Sequence, residues 1–370
     1  MDWLQSDDSK WEAHMKTLEF DPIQCQVLIL IRTETDKIYR KVSLKSDQDW
    51  ENLLATIPLN PYPEFSSRIN LIFGARAPVG PQEPTAVSHL PFSRPTFERL
   101  IKVFHIHGTI VRTINGSTDC AFIRKFCPSD LPEDSSIVYN CRSSASWEGD
   151  MAMSITFYLA SLTSNVVMYG CNEHITNEII TRLSNSDMLE FHPMIPVALF
   201  AELEQDRLIG MARKKMDALL QQMANMIDYA SGKTELRGFA PSLDSSIKGC
   251  LEIGNLKNGL QAFQRRIVAM IKHVDELEGG VLKPDNYGGI SLNPTRQRGL
   301  RDAGSKIKDR LKHLVDESDD HIQKCETLVH NITLSSQMVW NQINHKDTLT
   351  RLEKAHDTLS LMANYTWRIR

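Results

Sequence analysis

The sequence lacks the features that mark secreted proteins. Its 370 residues contain seven cysteines, an odd number, and none of them forms a CxxC pair. This usage is typical of reduced thiols in the cytosol and argues against a disulfide framework. Residues 1–16 are polar and acidic, so we expect no secretory signal. The expected location is the cytoplasm.

Long apolar runs and a strong net charge are also missing. The longest apolar runs, residues 25–31 and 194–201, are far shorter than the ~20 residues that span a bilayer. We therefore expect no membrane span within these residues. The net charge of −4 disfavours a non-specific nucleic-acid binder.

Catalytic motifs are equally scarce, and we expect no enzyme. The chain has no phosphate-binding glycine loop, no HExxH and no EF-hand pattern. His105 and His107 would share one strand face, as a metal pair requires, but partly exposed strand histidines are favoured because a third ligand is missing. Cys141 with His174 or His192 would pair a nucleophile with a base. A buried thiol is favoured there, since no oxyanion motif accompanies it.

A cluster of charged residues follows Pro196. Glu202, Glu204, Asp206 and Arg207 lie in the first turns of a predicted helix. Acidic residues at that position complement the helix dipole, which is the favoured interpretation over a catalytic role.

The N-terminal half has the period-two apolar pattern of β-strands. Among these strands, Ser46 and Ser93 are predicted to be the N-caps of two helices. We predict an α+β fold whose first domain, residues 1–195, is a mixed sheet with flanking helices in an α/β/α arrangement. The predicted strands are 24–32 and 37–44 as a hairpin, then 68–73, 119–126, 137–141, 151–158 and 165–169, with 105–112 leading toward another.

After Pro196 the apolar residues recur in steps of three and four, which predicts long helices. Residues 196–370 are therefore predicted to form a second, coiled-coil-like domain. Its last helix, from about residue 296, would form a stalk roughly 100 Å long that packs along the other helices or along another subunit. The main predicted stripe is Ile253, Leu256, Leu260, Phe263, Ile267, Met270, Val274 and Leu277.

The predicted stalk carries an acidic cluster. Asp316, Asp319 and Asp320 are helical neighbours three and four residues apart, where like charges repel. Carboxylates at this density suit Mg²⁺ or Ca²⁺. A divalent-responsive patch and a simple solvated face both stay open, and the solvated face is the favoured of the two.

One pattern in residues 136–207 consists of 137–142, Trp147, 150–154, Tyr169, Gly170, Arg182, Leu183, His192, Pro193 and 201–204. Residues 104–112 add an upstream match, and residues 339–344 add a weaker one. In these residues the chain resembles the fungal branch of the CorA-like magnesium-transporter proteins.

The resemblance implies an α/β/α cytoplasmic domain followed by a helical stalk that leads to the membrane. Family members carry a Gly-Met-Asn signature at the pore, and this chain contains no such tripeptide. Two functions stay open. One is a soluble regulatory or scaffolding domain related to Mg²⁺ transporters, which assembles through its helices, has a membrane transporter as partner and transports nothing by itself. The other is a helical protein–protein interaction protein that has lost the transporter function. Were membrane helices to follow residue 370, the protein would be membrane-associated.

Overall fold

The computed structural model describes residues 8–32, 37–57, 67–76, 87–116, 120–129, 135–185, 192–230, 239–280 and 294–368. Strands and short helices precede residue 195, and long helices follow it. The α+β class expected from the sequence is confirmed. The helices are α1 (Asp8–Met15), α2 (Asp47–Thr56), α3 (Arg94–Val103), α4 (Thr109–Ile114), α5 (Glu173–Ser184), α6 (Ile195–Ala230), α7 (Phe239–Gly279) and α8 (Pro294–Arg368).

Seven strands form one mixed sheet in the order β3-β2-β4-β9-β8-β7-β6. Neighbours in it are antiparallel except β4 and β9, which run parallel. Two further short strands, β1 and β5, pair with each other. The strands are β1 (Glu19–Phe20), β2 (Cys25–Arg32), β3 (Lys37–Leu44), β4 (Ser67–Ala75), β5 (His89–Leu90), β6 (Ala121–Cys127), β7 (Ser136–Arg142), β8 (Ala152–Tyr158) and β9 (Thr163–Cys171).

The centre of the sheet is covered on both faces. Every residue of β7, β8 and β9 is buried, as expected for strands packed between two layers. Neighbouring residues of β7 point to opposite faces. The Asn140 amide donates to Thr109 of α4 at 2.7 Å, and the Tyr139 hydroxyl lies 3.1 Å from Nε2 of His273 on α7.

The predicted helix caps are present. Ser46 accepts from the N–H of Asp49, whose carboxylate accepts from the Ser46 N–H, so both halves of a capping box form. Ser93 caps α3, with Pro95 in its first turn. These local signals explain why both helices begin where the sequence predicts.

The apolar stripe of α7 is buried as predicted. All eight of its residues, from Ile253 to Leu277, are at most 2% exposed. On α8, Leu311, Leu314 and Cys325 are also buried. The spacing of three and four thus identified the inward faces of these helices.

Residue contacts divide the chain into two compact units. One comprises Met1–Arg207 with Gln261–Ser318, and the other comprises Leu208–Leu260 with Asp319–Arg370. The domain division at residue 195 was based on the change from strands to helices. It stays a prediction.

Two segments differ from the sequence-based expectation. Residues 105–112 were predicted to lead into a strand. This prediction is wrong, because Thr109–Ile114 is the helix α4. Its buried residues Ile110, Val111 and Ile114 follow helical spacing, in a segment too short for that period to stand out. Helix α5 was not predicted, although Asn172 caps it by accepting from the N–H of Ile175 at 2.8 Å.

Candidate functional site

A buried ion pair lies near the start of α6. The Glu204 side chain is 0% exposed, and that of Arg207 is 11% exposed. Nε and Nη2 of Arg207 donate to the two carboxylate oxygens of Glu204, each at 2.8 Å. This two-pronged arrangement is the strongest geometry available to such a pair.

The same two side chains bind the loop that joins β7 to β8. Nη1 of Arg207 donates to the carbonyl oxygens of Trp147 and Glu148, at 3.1 and 2.8 Å. Nη2 donates to the carbonyl oxygen of Ser144 at 3.1 Å, and the Ser144 N–H donates to Glu204 at 3.3 Å. We call Glu204, Arg207 and these loop contacts the α6 clamp.

A second buried ion pair fixes the far end of that loop. Asp150 accepts from Nη2 of Arg142 at 2.5 Å and from Nη2 of Arg76 at 2.6 Å. Nη1 of Arg142 also donates to the carbonyl oxygen of Met151 at 3.1 Å. The loop is therefore held both to the ends of β4 and β7 and to α6.

Two glycines let the backbone pass through this cluster. Gly149 and Gly170 have φ of +82° and +83°, a backbone conformation that residues other than glycine rarely adopt. A Cβ at Gly170 would lie 2.8 Å from the carbonyl oxygen of Asp150. Close approach of β9 to the loop thus requires glycine there.

Burial and pairing act against each other at the clamp. Burial raises the pKa of Glu204, while Arg207 opposes the rise. Burial is the largest single influence on the Arg207 pKa and lowers it, but the hydrogen bond to Glu204 and the nearby charges of Glu204 and Asp150 together outweigh burial and raise that pKa. The Cys120 thiol, 3.8 Å from Glu204, has its pKa raised to about 12 by burial and by that carboxylate. The charges of Glu204 and Arg207 neutralise each other, and Arg207 also binds the loop. The cluster therefore connects two segments of the chain.

Most of the segments that carry the family resemblance meet at this cluster. Arg142 and Asp150 pair, Gly170 adjoins Asp150, Trp147 accepts from Arg207, and Glu204 forms the clamp. Two more residues of the resemblance, Arg182 and His192, have partners near the start of α6. Arg182 of α5 pairs with Glu202, and the buried His192 accepts from the N–H of Met194 through Nδ1 at 3.2 Å.

The sequence-based metal residues lie elsewhere. Asp316, Asp319 and Asp320 are exposed on α8. Within the described ranges, no three His, Cys, Asp or Glu side chains are grouped to hold a metal ion. The three aspartates stay a prediction.

The other candidates from the sequence, His105, His107 and Cys141, have contacts that account for them structurally. His105 has φ of +50° and packs edge-on against Tyr158, whereas Nδ1 of His107 lies 2.8 Å from Thr109 Oγ1 before α4. Cys141 is 0% exposed, and burial raises its pKa, which agrees with the favoured buried thiol.

The pairing of Glu204 with Arg207 was not predicted from the sequence. The i, i+3 spacing of opposite charges was visible, but that spacing usually marks a solvated face. The signal that could have found it was the apolar run 194–201 directly before Glu204, which indicated that this helix start is buried.

No protein-family model matches the chain, and no curated protein matches it. Several solved structures are similar, including these two. The CorA magnesium transporter from Methanocaldococcus jannaschii has a TM-score of 0.39 and 10% identity, over 87% of this chain and 81% of that one. The ZntB cytoplasmic domain from Vibrio parahaemolyticus RIMD 2210633 has a TM-score of 0.32 and 11% identity, over 81% and 97%. At these scores the likenesses carry no argument about function.

Among the described helices, none combines the length and the apolar character that crossing a membrane requires.

Proposed function

We propose that this chain is a CorA-like module with a regulatory or scaffolding role toward divalent-cation transport, acting in the cytoplasm and transporting nothing by itself. The observation that carries the proposal is that the α6 clamp and the neighbouring Arg142–Asp150 pair hold the same loop, and most of the resembling segments lie in these two groups. A regulatory module must transmit a change at one element to another. The bidentate Glu204–Arg207 pair, bonded to three backbone carbonyls, supplies such a stiff connection between the sheet and α6.

The signal in this proposal is a divalent cation, for which Mg²⁺ is the test ion. Asp316, Asp319 and Asp320 are exposed on α8 at spacings where their charges repel. A hard cation that keeps several of its waters would relieve that repulsion, either in one chain or between two copies.

Thermal unfolding with and without millimolar Mg²⁺ tests this part of the proposal. We expect Mg²⁺ to raise the Tm of the native chain and to leave an Asp316→Asn, Asp319→Asn, Asp320→Asn variant unchanged. The matched control is Asp302→Asn, Asp309→Asn, Glu326→Gln, which removes the same charge from exposed positions of α8. A control that loses the response as fully as the test variant would contradict the assignment.

A second function, that of a helical interaction protein, is favoured by a different observation. Six large apolar side chains are exposed in the described C-terminal part of α8: Leu334 at 46%, Met338 at 64%, Trp340 at 56%, Leu349 at 48%, Leu352 at 61% and Leu359 at 65%. Leu349, Leu352 and Leu359 lie on the four-and-three spacing of a coiled-coil seam, in which His345 and His356 occupy the other two positions. A second copy of this chain would cover it.

Sedimentation velocity distinguishes this second function. We expect Leu349→Glu with Leu352→Glu to shift the chain toward the monomer. The control Lys354→Gln lies off the seam and lowers the charge by the same amount as each test substitution. A native chain that is monomeric at high micromolar concentration would exclude self-association through α8.

A further inference from the structure

The strand β3 forms one edge of the seven-stranded sheet, and among the described strands only β2 pairs with it. The layers that cover the sheet end at β2. Val27 on one face of β2 and Leu28 and Leu30 on the other are each 0% exposed. On β3, by contrast, Ile38 is 50% and Tyr39 is 43% exposed. Since successive strand residues point to opposite faces, β3 extends beyond the covering layers on both sides of the sheet.

This edge has only one of the features that keep edge strands from pairing. Short length, prolines, bulges and cations are the usual protection. β3 has eight residues and no proline, and its register with β2 runs over the whole strand without a bulge. Cations are present, but they stand beside the exposed Ile38 and Tyr39. In the described part of the chain, the outer N–H and C=O groups of β3 are therefore open to another strand.

The exposed part of β3 is basic. Arg40 and Lys41 are exposed, and within the described ranges no carboxylate pairs with either of them. Beyond the end of the strand, the carboxylate of Asp49 accepts from the N–H of Lys45 at 3.0 Å, so an acidic group is already present there. The open positive charge thus lies on residues 38–41, which we call the basic edge.

Each face of the basic edge presents one apolar side chain and one cation. Ile38 and Arg40 share one face, and Tyr39 and Lys41 share the other. A paired strand lies between the two faces and reaches both sets, whereas a membrane surface lying against one face reaches only one. A second copy of β3 would add two more cations to the same edge, which is electrostatically unfavourable. The chemistry therefore favours an acidic strand.

We propose that the basic edge binds an extended acidic segment of a partner protein, which adds one strand to the sheet by antiparallel pairing. This direction requires the order acidic, acidic, apolar, apolar in the partner. Its two carboxylates then lie beside Lys41 and Arg40, and its two apolar side chains lie beside Tyr39 and Ile38. Main-chain hydrogen bonds supply affinity, and the alternating side chains supply specificity. The proposal does not depend on the divalent response of α8.

Fluorescence anisotropy with labelled peptides and the full chain tests the proposal. The test peptide has the core Glu-Glu-Ile-Val between threonines. One comparison peptide has the core Lys-Lys-Ile-Val, and a second has Glu-Ile-Glu-Val, which places both carboxylates on one face. The third is the test peptide with N-methyl groups on its backbone, which remove the donors that pair with the edge.

We expect the test peptide to bind more tightly than all three comparison peptides, and at least about tenfold more tightly than the Lys-Lys peptide. If the test peptide does not bind, or if the N-methylated peptide binds equally well, the proposal is wrong.

A charge exchange locates the binding. Arg40→Glu with Lys41→Glu should weaken the affinity for the test peptide at least about tenfold, and this variant should bind the Lys-Lys peptide instead. The matched control is Arg213→Glu with Lys214→Glu, which reverses an exposed Arg-Lys pair on α6. An equal loss in the control, or no gain of the Lys-Lys peptide by the test variant, would overturn the assignment.

Two further measurements detect a different occupant. Co-sedimentation of the native chain with phosphatidylserine vesicles that requires Arg40 and Lys41, without binding of the test peptide, would assign the edge to a membrane surface. A native dimer that Arg40→Glu with Lys41→Glu separates in sedimentation velocity would assign the edge to a second copy. We expect neither result, and either would overturn the proposal.

Discussion

Replacing Arg207 with leucine should destabilise the fold strongly. The substitution leaves Glu204, which is 0% exposed, with the Ser144 N–H and the Cys120 thiol as remaining donors. Removing one partner of a buried ion pair typically costs about 3–5 kcal/mol, because the other charge stays buried without compensation. We expect that loss in the free energy of unfolding, measured by urea denaturation near neutral pH.

The double variant provides the decisive comparison. Glu204→Leu alone should cost about 1–3 kcal/mol, since Arg207 keeps its three carbonyl acceptors. Replacing both residues removes both buried charges, which is often close to neutral in energy. The double variant should therefore be more stable than the sum of the single losses predicts, by at least about 2 kcal/mol.

Two controls test whether the coupling comes from a buried ion pair. The exposed pair Lys215–Glu252, at 2.5 Å, should show a coupling below about 1 kcal/mol in the same cycle. The loss in the free energy of unfolding caused by Arg207→Leu should also be smaller at pH 5. Without Arg207, burial raises the pKa of Glu204 further above its unfolded value, so the folded state takes up a proton as the pH falls. Additive single losses, or a deficit independent of pH, would refute the clamp as an ion pair.

Three further predictions concern the packing and the histidines. Ile267→Ala should cost about 2–5 kcal/mol in urea denaturation, whereas Val268→Ala, at a 52% exposed position, should cost far less; equal costs would contradict burial of the stripe. Burial lowers the pKa of His192 to about 3 and that of His273 to about 4, so stability should fall by about 1–2 kcal/mol per histidine between pH 7.5 and pH 5. His273→Gln should flatten that fall, and an unchanged pH profile would argue against a neutral buried His273. Gly170→Ala should cost about 1–3 kcal/mol or more, while Gly210→Ala, with nothing near its added Cβ, should stabilise by about 0.5–1 kcal/mol; similar Tm values for the two would refute the glycine requirement.

The main elements follow from local patterns in the sequence. Runs rich in Val and Ile located β2 and β3, and Ser46 with Asp49 located the start of α2. The stripe from Ile253 to Leu277 identified the buried face of α7. Each of these signals lies within a single helix or strand, so it can be recognised before any tertiary contact is known.

The candidate site was not predictable in the same way. The clamp depends on Arg207 meeting the carbonyl oxygens of Ser144, Trp147 and Glu148, about sixty residues away in the chain. Whether a charged side chain on a helix is solvated or buried is decided by the partner element. For Glu204 that partner is a loop whose position depends on the whole sheet.

Hydrogen exchange of the native chain and of Arg207→Leu tests the central claim, that the clamp couples the sheet to α6. The peptides to compare are residues 143–151, residues 201–207 and, as a reference, the β2–β3 hairpin. We predict that the loop and the start of α6 lose protection together in the variant, while the hairpin keeps its own. Loss of protection near residue 207 with an unchanged loop would contradict the coupling, and with it the regulatory role proposed for this chain.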